Sequence, residues 1–202
     1  MVTVRRARSD AHERSRLAEI CLLTGAAGGD ATDLLSDPTL LTDAYLTPYL
    51  EREPDLCLVL ADEADVPVGY AIGTADTAAF EQWCTAQWWP SVRARSTGRT
   101  SPPRSDLERH LVDRLADRVP KDPQLLERFP AHLHIDLLPV AQGGGNGRRL
   151  ITALLDALRA AGAHGVHLGV DPANERALGF YRHLGFEVVP EAKGLVLGLA
   201  LR

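Results

Sequence analysis

The chain is poor in cysteine: Cys21, Cys57 and Cys84 are its only three. An odd count makes a poor disulfide framework, and their spacing matches no zinc-ligand pattern, so neither a disulfide scaffold nor a metal centre is expected. Cys57 falls in the apolar run LCLVLA and reads as a small core residue. Long hydrophobic runs are also missing at the amino terminus. MVTVRRARSD holds no apolar stretch long enough for a signal peptide or a membrane span. The expectation is a reducing cytoplasm and no membrane partner. A basic excess is absent as well: 22 Lys and Arg stand against 27 Asp and Glu, a formal net charge of -5. A general nucleic-acid binder needs a basic surface to displace counterions, so no nucleic-acid partner is expected. No internal repeat is visible.

What is present suits one domain over residues 1–202 with room for an insertion. Apolar residues make up 45% and charged residues 24%, enough to fill a core and keep a wet surface. Val2–Arg5 alternate as a first strand would. Asp10 can cap a helix running to about Thr24, with Leu17, Ile20, Cys21 and Leu23 on its apolar face. The glycines of TGAAGGDATD make a loop of the kind that borders substrate sites. Leu40–Glu51 reads as one short helix. Leu56–Ala61 and Val66–Thr74 read as strands joined by the turn ADEAD.

A long interruption follows from about Asp76 to Pro130. It holds Trp83, Trp88 and Trp89, a linker STGRTSPPRSD, and helical stretches near Leu107–Arg118 and Pro123–Phe129. The tryptophans either wall an acceptor pocket or pack the insertion onto a sheet. Then come a strand over His132–Leu138, a glycine-rich loop over Gln142–Gly147, and a helix over Gly147–Ala161. That helix carries Leu150, Ile151, Leu154, Leu155 and Leu158 on one face and ends at Gly162 and Gly165. A strand over Val166–Val170 and a helix over Asn174–Leu184, stopped by Gly185, precede final strands at Val188–Val189 and Leu195–Leu199.

The sharpest feature is the succession strand, QGGGNGRR, helix. Glycines in such a turn let the backbone approach a ligand and leave amides pointing outward. The helix behind them adds unsatisfied N–H groups and the positive end of its dipole. That arrangement suits a pyrophosphate, with Arg148 and Arg149 adding charge. A flexible glycine turn is the alternative reading. The segment lacks the Gly-Lys-Ser/Thr ending of a P-loop, and its spacing fails the G-x-G-x-x-G fingerprint of dinucleotide sites.

Gln142-Gly143-Gly144-Gly145-Asn146-Gly147 resembles the Q/R-x-x-G-x-G/A motif of GNAT acetyltransferases, and Pro139 stands where that family often has proline. The run Val170 to Phe186 is similar to the family's V-x-x-x-N-x-x-A-x-x-x-Y-x-x-x-G-F block. A narrower resemblance covers nearly the whole chain. GYAIGTADTAAFEQW, FPAHLHIDLLP and ATDLLSDPTLL are similar to the acetyltransferase-like domain at the carboxyl end of O-GlcNAcases and to its free-standing bacterial relatives. The resemblance implies acetyl-CoA binding for the bacterial members and not for the animal domain. The retained glycine loop puts this chain with the binders.

The implied fold is α/β: a GNAT fold with a mixed, mostly antiparallel central sheet flanked by helices, and a helical insertion before strand four. The implied cosubstrate is acetyl-CoA, without a metal. Its pyrophosphate would meet the amides of Gly143, Gly144, Gly145, Asn146, Gly147 and Arg148. The splayed end of strand four, near Leu137 and Leu138, would pair with the pantetheine through backbone. Asn174 matches the family asparagine near the cofactor, and it equally reads as a helix N-cap. Tyr181 matches the tyrosine that protonates the departing thiolate, a role suited to a phenol with a pKa of about 10. Core packing beside Phe180 is its alternative.

The base is where the chain departs from the pattern. Many relatives carry a glutamate five residues before the asparagine, and here that position is Gly169. Asp136, an isolated carboxylate in the apolar run HIDLLP, is the candidate base, or else a structural partner for a backbone or arginine group. His134 lies on the same strand face and reads as a base or a half-buried strand histidine. The expected activity is acetyl transfer to a small-molecule or peptide amine by direct attack in a ternary complex. The alternative is an acetyl-CoA-binding module with weak or no catalysis. The sequence names neither the acceptor nor an oligomeric state.

Overall fold

The fold, taken from a computed structural model, is described for residues 2–96, 102–116, 122–190 and 194–201. Residues 97–101 of the STGRTSPPRSD linker and the last two positions of the Leu107–Arg118 helix lie outside these. Strand β1 (Thr3–Arg6) leads into helix α1 (Ala11–Thr24). The Asp10 side chain accepts from the Glu13 amide at 3.0 Å and so satisfies one of the helix's orphan donors. Leu17, Ile20, Cys21 and Thr24 fall at helical spacing and are all buried. Glu13 is also buried. Arg5 of β1 neutralises it through a two-pronged contact at 2.8 and 2.7 Å, which locks the helix onto the sheet edge.

The expected single helix over Leu40–Glu51 is two helices, α2 (Thr39–Tyr45) and α3 (Thr47–Arg52). Leu46 breaks the run at φ -134°, and Pro48 in the first turn of α3 donates no N–H with which to continue it. Strands β2 (Cys57–Ala61) and β3 (Pro67–Thr74) are buried along their whole length, and Asp65 turns the chain between them at φ 62°.

The insertion opens with a helical run that the sequence periodicity does not reveal. Helix α4 (Thr77–Trp83) passes through a π-helical turn (Cys84–Trp88) into α5 (Trp89–Ser96). A π turn adds residues within one winding, so the apolar face shifts midway and no 3.6-residue period survives across the run. Trp89 is buried, while Trp83 and Trp88 are half-buried against the same core. Helices α6 (Asp106–Ala116) and α7 (Pro123–Arg128) complete the insertion.

Strand β4 (Ala131–Leu137), helix α8 (Asn146–Ala160), strand β5 (Gly165–Gly169), helix α9 (Glu175–His183) and strands β6 (Glu187–Val188) and β7 (Val196–Ala200) follow. The sheet has the order β1-β2-β3-β4-β5-β7-β6. Each pairing is antiparallel except β4 with β5. One face carries α1, α2 and the insertion over Cys57, Val59, Tyr70 and Ile72. The other carries α8 over Leu58, Leu60, Ala71 and Leu133. Leu150, Ile151, Leu154 and Leu158 of α8 are fully buried, each stabilising by about 1.5–3 kcal/mol.

The parallel pairing positions the site. It is short, joining only Ala131 to Val166 and His132 to His167. Beyond His132 the two strands diverge, and β4 offers an unpaired backbone edge.

Candidate functional site

At the divergence opens a cleft of about 850 Å³. Its walls are the end of β4, the glycine-rich loop with the start of α8, helix α9, and the loop after α1. Pro139–Ala141 forms a tight 3-10 turn that swings the chain away from the sheet. Gly143, Gly144 and Gly145 then take φ values of 86°, 57° and 78°. A Cβ on Gly143 or Gly145 would meet nothing within 4 Å, so what these positions demand is backbone conformation, not space. Gly147 differs: a Cβ there would press on Phe180 at 3.2 Å and Leu137 at 3.3 Å, where α8 touches α9 and β4.

This conformation leaves the backbone amides of Gly143, Gly144, Gly145, Gly147 and Arg148 without a protein acceptor among the described residues. They converge with the positive end of the α8 dipole. Side chains brace the loop. Asn146 Nδ2 donates to Ala141 O at 3.1 Å, and Gln142 Nε2 donates to Leu137 O at 2.9 Å. Arg176 of α9 donates to Gln142 Oε1.

Leu137, Gly143, Gly145, Asn146, Gly147 and Arg148 all line the cleft, as do Asn174, Tyr181 and Asp136. Leu138 and Gly144 do not. Leu138 is buried in the core, and its amide donates to Val68 O at 3.0 Å. Asn174 is the N-cap of α9: its Oδ1 accepts from the Ala177 amide at 3.0 Å. Its Nδ2 donates across the cleft to Ala27 O at 3.1 Å. The loop read from TGAAGGDATD therefore does border the site, turning at Ala27 and Gly28 with φ values of 51° and 93°.

Asp136 sits deep on the α1 side of the cleft. Burial raises its carboxyl above the ordinary range, and the nearby Tyr70 and Thr24 hydroxyls offset part of that rise. Tyr70 lies directly opposite Asp136 in the β3–β4 ladder. Its hydroxyl is fully buried and has no partner in hydrogen-bond geometry, although Asp136 and Cys21 both act on it electrostatically. The neutral hydroxyl still favours the charged carboxylate, although the pair falls short of hydrogen-bond geometry. Burial also pushes the Tyr181 hydroxyl above its usual value, and the Asp136 charge adds to the rise. Tyr181 packs edge-on against Phe186 with ring centroids 5.4 Å apart. Its packing and its cleft-lining position coexist.

Sequence reasoning missed Tyr70 and Cys21 as the floor beneath Asp136. The available signal was the strand pairing, since two antiparallel strands joined through a register fix which residues face each other. Gly169 is a β5 residue without a carboxylate, and a Cβ added there would meet nothing within 4 Å. No cluster of three or more potential metal ligands occurs among the described residues. No helix among them is long and apolar enough to cross a membrane.

The arrangement has counterparts among known proteins. Residues 115–186 match the Acetyltransferase (GNAT) family. Protein O-GlcNAcase of Rattus norvegicus is 27% identical over 172 residues, which cover 82% of this chain and 19% of that relative. The Mus musculus protein matches to the same extent. The chain thus spans about a fifth of the length of these curated relatives. Among solved structures, SsHAT covers 100% of this chain and 98% of its own at 38% identity, with a TM-score of 0.84. A Salmonella typhimurium protein solved with its cofactor acetyl-CoA shares the fold at 20% identity and a TM-score of 0.53, over 100% of this chain and 95% of its own.

Proposed function

The chain belongs to the GNAT acetyltransferase family, and from that premise we propose that it binds acetyl-CoA in the 850 Å³ cleft and transfers the acetyl group to an amine. The observation that carries the reading is the row of unpartnered amides at the head of α8, opening into the same cleft as Tyr181 and Asp136. The amides of Gly143, Gly144, Gly145, Asn146, Gly147 and Arg148 are assigned to the pyrophosphate. Asn146 has its own amide bonded to Gly143 O, so it contributes chiefly by shaping the turn. The free edge of β4 at Leu137 is assigned to the pantetheine, which it meets as an added strand would. Leu138 supports that edge from the core, since its amide is already bonded.

The bound thioester supplies an activated acyl group. The acceptor nitrogen attacks its carbonyl carbon, an N–C bond forms and the C–S bond breaks. Asp136 takes the proton released from nitrogen. A carboxyl with a raised pKa is a stronger base than an ordinary one once ionised. Tyr181 gives its proton to the departing sulfur, and backbone N–H groups of β4 polarise the carbonyl. Asn174 holds the α9 end of the cleft in place.

Gly169 favours a second reading, because β5 lacks a carboxylate at the position where the family often carries one. On that reading the protein binds acetyl-CoA without passing the acetyl group on. Calorimetric titration with acetyl-CoA, set beside CoA-thiol release against a panel of amines, separates the cases. Binding with acceptor-dependent release supports transfer. Binding alone supports the module. Absence of binding removes both.

A further inference from the structure

A second cavity, of about 410 Å³, lies along β4 toward the start of the strand. His134 lines it two residues before Asp136, on the same strand face and about 7 Å away along the chain. Neither the glycine loop nor Tyr181 reaches it. Its walls include Tyr45, Tyr49, His132, His110 and Arg114, with Gly169 at the β5 side.

A run of hydrogen bonds ties His134 into this wall. Pro130 O can only accept, and Thr77 Oγ1 lies 2.6 Å from it, so the threonine proton points there. The Thr77 oxygen is then left to accept from His132 Nδ1 at 2.8 Å. His132 Nε2 lies 2.6 Å from the Tyr49 hydroxyl. His134 Nε2 lies 3.1 Å from the same Tyr49 hydroxyl. One hydroxyl, that of Tyr49, thus ties both imidazoles to α3.

Arg114 supplies the other pole. Its guanidinium carbon stands 5.1 Å over the Tyr45 ring, and it donates to the Tyr45 hydroxyl at 3.1 Å. It makes no ion pair with any described residue, although Glu81 also lines the cavity. Tyr45 is at the same time the edge-on neighbour of His134, with ring centroids 5.5 Å apart. One aromatic ring therefore holds a cation and a hydrogen-bonding imidazole on the same wall. Among the described residues, its surroundings add four histidines and one carboxylate, in a chain whose net charge is -5. Gly169 contributes no negative charge where a strand-five carboxylate would repel an anion.

We propose that this cavity receives the acceptor, and that the acceptor is a compact primary amine carrying a carboxylate, with the carboxylate on Arg114 and the amine beside His134. The inference rests on the transferase reading for the chemistry but not for the binding. Planar bidentate recognition is what a guanidinium offers a carboxylate, and the stacking on Tyr45 orders it in advance. His134 acts here as a positioning residue beside the amine, while Asp136, next on the strand face, takes the proton.

The test compares glycine, β-alanine, 4-aminobutyrate and 6-aminohexanoate with alkylamines of matching length. Each is titrated calorimetrically with and without acetyl-CoA and assayed for CoA-thiol release. At least one amino acid is expected to exceed its alkylamine by tenfold or more in affinity and kcat/KM. Arg114→Gln should erase that preference while acetyl-CoA affinity stays within twofold, and Arg114→Lys should restore only part of it. Equal treatment of the pairs, or a preference that survives Arg114→Gln, overturns the proposal. So does absence of amino-acid binding in both conditions, even where acetyl-CoA binds. Loss of acetyl-CoA binding alone would instead defeat the transferase reading and leave the amino-acid titrations as the deciding result.

Discussion

The Asn174 amide spans two elements: its Oδ1 caps α9 at Ala177 N, and its Nδ2 holds Ala27 O on the opposite side of the cleft. Cap and clasp are separable chemistries. Asn174→Ser keeps an N-cap oxygen and removes the reach to Ala27. The expected stability loss is under about 1 kcal/mol, since serine caps nearly as well as asparagine. The expected effect on the 25–31 loop is larger: faster amide hydrogen exchange there, with exchange in α9 unchanged, and a higher KM for acetyl-CoA. Equal acceleration in α9 would mean that the cap was lost instead.

Gly145 tests the conformational demand of the anion loop. Its φ is 78° and its Cβ position is open, so substitution strains the backbone without a clash. A left-handed residue other than glycine costs roughly 1–2 kcal/mol, and β-branching makes it worse. Gly145→Val should lower acetyl-CoA affinity tenfold or more. Gly145→Asn, which tolerates this region, should retain binding within a few fold. Isothermal titration of both variants measures the difference.

Asp136 makes a pH-dependent prediction whose sign follows from its raised pKa. A carboxyl harder to ionise in the folded than in the unfolded state favours folding only as its protonated form. Stability therefore falls as pH rises from the ordinary carboxylate range through the raised folded-state value. Asp136→Asn should have the higher Tm above that value, and the gap should close toward acid pH. Catalysis runs the opposite way, because the base must be ionised. The acid limb of kcat/KM should lie above the ordinary carboxylate range. Tyr70→Phe removes a hydroxyl that holds the carboxyl pKa down, so the limb should move to still higher pH.

Tyr181 separates proton donation from packing. Tyr181→Phe keeps the ring against Phe186 and deletes the hydroxyl. A general acid typically contributes about 100- to 10,000-fold, so kcat should fall within that range while acetyl-CoA affinity changes less than threefold. Stopped turnover with unchanged binding is the expected pattern. Unchanged kcat across pH would remove the assignment.

The two ends of the chain's chemistry differ in how far residue order alone reveals them. The glycine loop, the α8 stripe and the cap at Asn174 are local: each depends on residues within a few positions, through backbone conformation, helical period or a short hydrogen bond. All three were readable, and so was the mixed sheet that the two motif blocks imply. The break at Leu46 was missed although its cause, Pro48, is local, and the π turn at Cys84–Trp88 was not readable because it shifts the apolar face within the run. The floor of the site and the second cavity were not readable either. Tyr70 faces Asp136, and Tyr49 reaches His132 and His134, only once the strands have paired and α3 has docked, across separations of 66 to 85 positions. The conformation of the proposed anion loop is thus written in consecutive residues. The groups proposed to handle protons and to face the acceptor are brought together by register and burial, which exist only in the assembled sheet.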